Sequence, residues 1–209
     1  FRKNIGKQLA IQISNTNNEL FNKFKSNNTI ICGVPKSGLL YAQGFSDYTN
    51  ILYEPFLDLK KTNNTNDVNH ERTFILNTQE KRIKACKNKY EINSTIKDKI
   101  CILIDDSIVR GTTLKFLINY IKSFNPKEIH FISASPSIKY PCFYGVDFAD
   151  IEDLYFNKAN LDLQTTTYLD IDNMDSLTYL SLDNLSIVFN EFNTNKNICT
   201  ACFDGNYLF

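Results

Sequence analysis

An apolar run, "KICILI" (99–104), ends in two adjacent carboxylates, Asp105 and Asp106, followed by Ser107, Ile108, Val109, Arg110, Gly111, Thr112 and Thr113. Side-by-side carboxylates repel, and they are costly at the end of a buried segment unless something binds there. Two uses suit them: accepting hydrogen bonds from sugar hydroxyls, and helping to hold Mg²⁺, which takes oxygen ligands. The residues that follow offer backbone N–H groups, hydroxyls and a glycine that permits close backbone approach. A strand, such a loop and a helix N-terminus in succession can hold a phosphate dianion. The competing reading is that Asp105, Asp106 and Ser107 only cap the next helix. A second candidate loop, "PKSG" (35–38), brings Ser37 after another apolar run.

Those residues need elements that bring them to one edge. "FRKNIGKQLA" reads as helical, with Ile5, Leu9 and Ile13 four apart. "TIICGV" (29–34) reads as a buried strand, followed by a helix through "LLYAQGFSDY"; "ILYEPFL" (51–57) reads as a second strand. A polar tract (58–72) without periodicity precedes a helix in "TQEKRIKACKNKY". The continuous apolar run 99–104 suits a central parallel strand covered on both faces. From Thr112 to Ser123 one helical face carries Leu114, Leu117 and Ile121 with Phe116 and Tyr120, and "EIHFISA" (128–134) is a further strand. This alternation predicts an α/β fold, an open, mainly parallel sheet flanked by helices, with ligands at the carboxyl ends of the strands. The pattern shortens after Pro141, which divides a core (1–145) from a small C-terminal subregion (146–209).

The 209 residues carry 23 Lys plus Arg against 23 Asp plus Glu, so no charge excess recommends nucleic acid or a membrane as partner. Nor is there a run of about 18 apolar residues that could span a bilayer. Six cysteines without a secretory signal point to thiols or metal ligands in a cytoplasmic protein rather than to a disulfide framework. Cys32 and Cys101 sit in apolar strand patterns, and Cys86 falls on a polar helix. Cys199 and Cys202 form a C-x-x-C pair that could be redox-active, zinc-binding or incidental. His70 and His130 lack a partner that would make them catalytic. The opening residues lack an initiator methionine, so the chain reads as a piece of something longer.

"ILIDDSIVRGTT" resembles the phosphoribosyl-pyrophosphate (PRPP) motif of type I phosphoribosyltransferases, and its "SIVRGTT" ending resembles the amidophosphoribosyltransferase family. "RKNIGKQLA", "GVPKSG", "RTFI", "SPSIKYPCFYGVD", "LTYLSLDNL" and "CTACFDGNY" look like successive segments of that family in the same order, over nearly the whole chain. The resemblance implies a type I phosphoribosyltransferase fold and transfer of ammonia to PRPP, giving 5-phosphoribosylamine and pyrophosphate, the opening step of purine synthesis. It implies that Asp105 and Asp106 hold the ribose and, with Ser37, Mg²⁺. It implies that Ser107 to Thr113 grip the 5′-phosphate, and that Lys60, Lys61 and Arg72 lie on a loop closing over PRPP. In the iron–sulfur branch of the family, Cys142, Cys199 and Cys202 ligate a 4Fe–4S cluster whose fourth ligand would precede Phe1, so the three are expected to converge. The resemblance further implies a homo-oligomer and an N-terminal glutaminase domain, absent from this chain, that supplies the ammonia. Two departures stand out: Lys36 replaces an acidic residue, and "LKKTNNTNDVNHERTF" is longer than the family's loop. They favour, as an alternative, a non-catalytic domain that binds PRPP or purine nucleotides. Another alternative is a phosphoribosyltransferase with a nucleobase acceptor.

Overall fold

The computed structural model describes residues 1–60, 88–146, 150–192 and 198–207. The helices α1 (Arg2–Thr16), α2 (Asn18–Phe24) and α3 (Leu39–Thr49) surround the first strand, β1 (Thr29–Gly33). Short strands β2 (Leu52–Tyr53), β3 (Leu57–Leu59) and β4 (Tyr90–Ile92) lead to the long central strands β5 (Ile100–Asp105) and β6 (Glu128–Ser133), joined by helix α4 (Thr112–Lys122). A one-turn helix α5 (Tyr155–Lys158), a hairpin of β7 (Thr167–Ile171) and β8 (Met174–Tyr179), and helices α6 (Leu182–Phe192) and α7 (Ala201–Asp204) complete the described α-helices and strands. No described helix is long and apolar enough to cross a membrane.

Six strands form one sheet in the order β2-β1-β5-β6-β8-β7, parallel except for β7. The period-two rule sorts their side chains. Ile30, Cys32, Cys101, Leu103, Ile129 and Phe131 meet Leu114, Leu117, Ile118 and Ile121 of α4 on one face. Ile31, Ile102, Ile104 and Ile132 meet Ile5, Leu9, Ile13, Phe24 and Phe45 of α1 to α3 on the other. With both faces covered there is no polar alternation, which is why "IICG" of β1 and "ICILI" of β5 read as unbroken apolar runs.

Adjacent strands β1 and β5 therefore send their following helices to opposite faces. Such a reversal opens a crevice at the carboxyl ends of the two strands, where ligands of open α/β sheets collect. It is the feature of the fold that creates the site.

The stretch 51–57 is not the single strand expected from its sequence. Leu52 and Tyr53 pair with β1 at the sheet edge, whereas Leu57–Leu59 pairs antiparallel with β4 in a separate two-stranded sheet. Pro55 lies between them and has no N–H for a ladder. The Phe56 N–H donates to Glu54 O at 2.8 Å, a three-residue turn that redirects the chain. The helix expected over "TQEKRIKACKNKY" lies, up to residue 87, outside the described residues.

Beyond 146 the chain continues the main sheet, since β8 pairs with β6. The β7–β8 connection is a two-residue turn, Asp172–Asn173, flanked by the Ile171–Met174 pair. Both residues have positive φ, 50° and 67°, as a type I′ turn requires, and Asp and Asn tolerate it.

Candidate active site

The first wall of the crevice follows β1. The Val34 N–H donates to Ile104 O (2.8 Å) and the Gly38 N–H donates to Val34 O (2.7 Å), folding 34–38 against the end of β5. A Cβ on Gly38 would stand 2.0 Å from Ile104 O, so only glycine lets the backbones approach this closely. The turn aims Ser37 across the crevice, where its Oγ donates to Asp105 Oδ1 at 2.6 Å. Lys36, beside it, is exposed at the cleft lip.

The second wall follows β5. Asp105 Oδ1 also accepts from the Asp106 N–H (2.8 Å), and Asp106 Oδ1 accepts from the Ser107 N–H (2.8 Å). Burial, then the neighbouring Asp106 charge, push the Asp105 carboxyl up to about 7, against hydrogen bonds from Ser37 and the Asp106 backbone that favour the charged form. Such a pair attracts whatever offsets its charge: a cation, or hydroxyl donors.

The cap-only reading of these residues fails. Helix α4 has Gly111 as its N-cap with no side-chain capping bond, and the Asp105 and Asp106 carboxylates are engaged nearer to hand. Gly111 has φ 73°, the left-handed region, and a Cβ there would lie 2.2 Å from the Tyr155 ring. The loop Ser107–Thr113 lines the crevice and runs into the start of α4, where the first amides have no intrahelical acceptor. This arrangement suits a phosphate.

Together the walls enclose a cleft of about 920 Å³, lined by Lys36, Ser37 and every residue from Asp105 to Thr113. Its lining also includes Lys89, Tyr90, Phe131, Ile138 and Val146, which sequence reasoning missed. Lys60 lies at the end of β3, outside that lining, but its N–H donates to Lys89 O at 2.9 Å. The small sheet thus presents Lys89 to the cleft where the sequence suggested Lys60. No local signal marks Lys89, because its placement follows from the distant pairing of β3 with β4. Lys61 and Arg72 lie outside the described residues.

The cysteines fall into two groups. Cys32 and Cys101 are buried, and burial pushes both thiols up to about 12, as befits inert core residues. Cys142 and Cys202 pack in one small cluster with Ile138, Leu154, Val109 and Phe203. Cys202 O accepts from the Lys139 and Tyr140 N–H groups, at 2.9 and 3.1 Å. Burial, and then proximity to Cys142 and Cys199, raise the Cys202 thiol to about 11. Cys142 and Cys202 therefore meet although the sequence separates them, whereas Cys199 is exposed and outside their cluster. Among the described residues, however, no group of three or more Cys, His, Asp or Glu is set to hold a metal ion.

Cys86 and His70 lie outside the described residues. His130 is buried and does have partners: Ser176 Oγ at 2.8 Å and Glu128 Oε2 at 3.1 Å, with Lys23 Nζ on the same carboxylate at 3.1 Å. They tie α2 to the amino end of β6, the edge opposite the cleft, and serve the fold.

A mainly parallel α/β sheet with an acidic strand end, a glycine-bearing loop leading into a helix and a hydroxyl loop facing it has the architecture of the type I phosphoribosyltransferase fold. Residues 2–135 match the family described as phosphoribosyl transferase domain, and the chain belongs to that family. It is similar to the amidophosphoribosyltransferase of Methanothermobacter thermautotrophicus (35% identity over 195 residues, 92% of this chain and 38% of the relative). It is also similar to that of Bacillus subtilis (31% over 209 residues, 99% of this chain and 39% of the relative). The solved glutamine PRPP amidotransferase of B. subtilis, complexed with ADP and GMP, aligns with 99% of this chain and 41% of its own, at 29% identity and a TM-score of 0.71. The chain thus spans between 32% and 39% of the length of these and other curated relatives.

Proposed function

We infer that the chain is the phosphoribosyl-transfer part of an amidophosphoribosyltransferase, in which ammonia displaces pyrophosphate from C1 of PRPP to give 5-phosphoribosylamine, the first step of purine (IMP) synthesis. The observation that carries this is the meeting of Ser37 with Asp105 across the β1–β5 crevice, directly beside the Ser107–Thr113 cradle. The kinship with amidophosphoribosyltransferases supports it.

The chemistry asks for positioning and charge stabilisation rather than a strong base. The sugar gains oxocarbenium character while negative charge grows on the leaving group. In this reading the amides of Ser107 to Thr113 hold the 5′-phosphate, and Asp105 and Asp106 accept hydrogen bonds from the ribose hydroxyls. Loop 35–38 faces the pyrophosphate, flanked by the cationic Lys36 and Lys89. Lys60, Lys61 and Arg72 belong to the segment that would close over the substrate. The donor set of Ser37, Asp105 and Asp106 is all oxygen, which fits Mg²⁺, and their shared charge calls for a cation. When bound there, Mg²⁺ supplies positive charge against that of the pyrophosphate.

The same reading carries an upstream glutaminase domain as ammonia source, homo-oligomeric assembly and a cytoplasmic location. A 4Fe–4S cluster takes four thiolates as a rule. Cys142, Cys199 and Cys202 as arranged here do not fit one by themselves, so the cluster is proposed only with a fourth ligand upstream of Phe1, in a structural role.

Pyrophosphate release from Mg–PRPP, assayed with ammonium as the nitrogen source, tests the enzymatic reading. Ammonium-dependent release is expected. The exposed Lys36, a cation at the pyrophosphate lip, favours a second reading, a non-catalytic binder of PRPP or purine nucleotides. Tight PRPP binding without turnover at any ammonia concentration would select that second reading.

A further inference from the structure

The loop that lines the phosphate end of the cleft is held from behind by a segment of the chain far from it in sequence. The Tyr155 N–H, at the start of α5, donates to Val109 O at 2.7 Å. The Tyr155 ring, 1% exposed, lies where any Cβ on Gly111 would go. Two residues earlier, Asp153 Oδ2 stands 3.7 Å from Arg110 Nε, while its other oxygen accepts from Lys158 Nζ at 2.9 Å. Val109, Arg110 and Gly111, three successive residues of the cradle, are therefore all braced by residues 153–155.

The brace is itself anchored. Tyr155 Oη donates to Asp172 Oδ2 at 2.5 Å, and Asp172 is the first residue of the type I′ turn between β7 and β8. Its other oxygen lies 3.3 Å from Lys115 Nζ, on the first turn of α4, and that ammonium stands 5.7 Å from the Tyr155 ring centroid. Burial and the Asp172 carboxylate both keep the phenol protonated, so its hydrogen bond persists across the working pH range. A closed circuit results: cradle, Tyr155, hairpin turn, Lys115 and back to the helix that begins in the cradle.

We propose that Tyr155, locked by Asp172, is a positioning residue that sets the curvature of the Val109–Gly111 cradle and thereby its affinity for the 5′-phosphate. The proposal rests on the reading of Ser107–Thr113 as a phosphate site. The energetic reason is preorganisation. A cradle whose amides already converge loses less freedom on binding than one that must be ordered by the ligand. The β7–β8 hairpin thus contributes to the site without touching it.

The test compares two probes, ribose 5-phosphate and inorganic pyrophosphate with Mg²⁺, by calorimetry on the native protein, Tyr155→Phe, Asp172→Ala and Asp172→Asn. Tyr155→Phe keeps the ring behind Gly111 and loses only the lock. It should weaken ribose 5-phosphate about tenfold, the scale of one net hydrogen bond, and leave pyrophosphate unchanged. Asp172→Ala should do the same, whereas Asp172→Asn keeps an acceptor for the phenol and should restore most of the affinity. A merely structural role would weaken both probes together, and that outcome overturns the proposal. So does unchanged ribose 5-phosphate affinity in both Tyr155→Phe and Asp172→Ala while the native protein binds it. If the native protein binds pyrophosphate but not ribose 5-phosphate, the phosphate-site reading fails first and the brace falls with it.

Discussion

Replacing Asp105 by Asn should make the ligand-free protein more stable while weakening PRPP binding. Asp105 is held where burial and Asp106 raise its carboxyl from an ordinary 3.8 to about 7, a displacement equivalent to roughly 4 kcal/mol once the group is forced to ionise. The folded form binds the proton more tightly than the unfolded form, so stability is highest at acid pH and falls as pH rises from about 4 through about 7. Asn cannot ionise, yet its amide oxygen can still accept from Ser37 Oγ and the Asp106 N–H. Those two bonds lose charge assistance, at a cost of about 1 kcal/mol each at most. The net gain expected at pH 8 is therefore about 2 kcal/mol, or about 4–8 °C in Tm for a domain of this size. Urea unfolding of both proteins at pH 5 and pH 8 is the assay. The stability difference should appear at pH 8 and shrink toward zero or reverse at pH 5. A variant no more stable than the native protein at pH 8, or a difference independent of pH, would refute the strained-pair argument.

Three further outcomes follow from the same geometry. Gly111→Ala places a Cβ 2.2 Å from the Tyr155 ring at φ 73°, so it should lose at least about 1–3 kcal/mol of stability in thermal unfolding and most ribose 5-phosphate affinity in calorimetry. Lys36→Asp should change the inhibition constant for pyrophosphate without abolishing ribose 5-phosphate binding; if neither ligand responds, Lys36 is surface charge alone. His130 is held below its ordinary 6.5 by burial, which outweighs the Glu128 carboxylate. It binds fewer protons folded than unfolded, so its contribution to stability is lost as pH falls below about 6.5, and His130→Gln should flatten that limb of the stability–pH curve.

The parts of this molecule legible in its sequence are those fixed by local pattern. Strands β1 and β5 announce themselves because burial on both faces leaves "IICG" and "ICILI" without a polar side chain, and β6 through its apolar Ile129, Phe131 and Ile132. Helix α4 is visible through Leu114, Leu117 and Ile121. The acidic pair and its loop were legible because their chemistry is contiguous: strand end, cradle and helix N-terminus occupy one short stretch. Ser37 needed only the inference that parallel strands share a carboxyl edge. What the sequence could not supply depends on pairings between distant segments. The break at Pro55 that sends Leu57–Leu59 into a second sheet, and Lys89 at the cleft, both hang on the partnership of β3 with β4. Tyr155 carries no motif, and only the fold places its ring against Gly111 and its hydroxyl on Asp172. The buried network around His130 was likewise hidden, since Lys23 and Ser176 reach it from α2 and β8.

The central claim is that the crevice between β1 and β5 binds magnesium–PRPP through Ser37, the acidic pair and the cradle. Isothermal titration of Mg–PRPP into the native protein and into the Asp105→Asn/Asp106→Asn double variant tests it most directly. The double variant removes both charges and preserves shape. It should bind more weakly by about 2–4 kcal/mol, the scale of two charge-assisted contacts and the charge attraction lost with them. It should do so with no loss of thermal stability at pH 8. Equal affinity in the two proteins would show that PRPP does not sit on this acidic pair, and would contradict the assignment of the site.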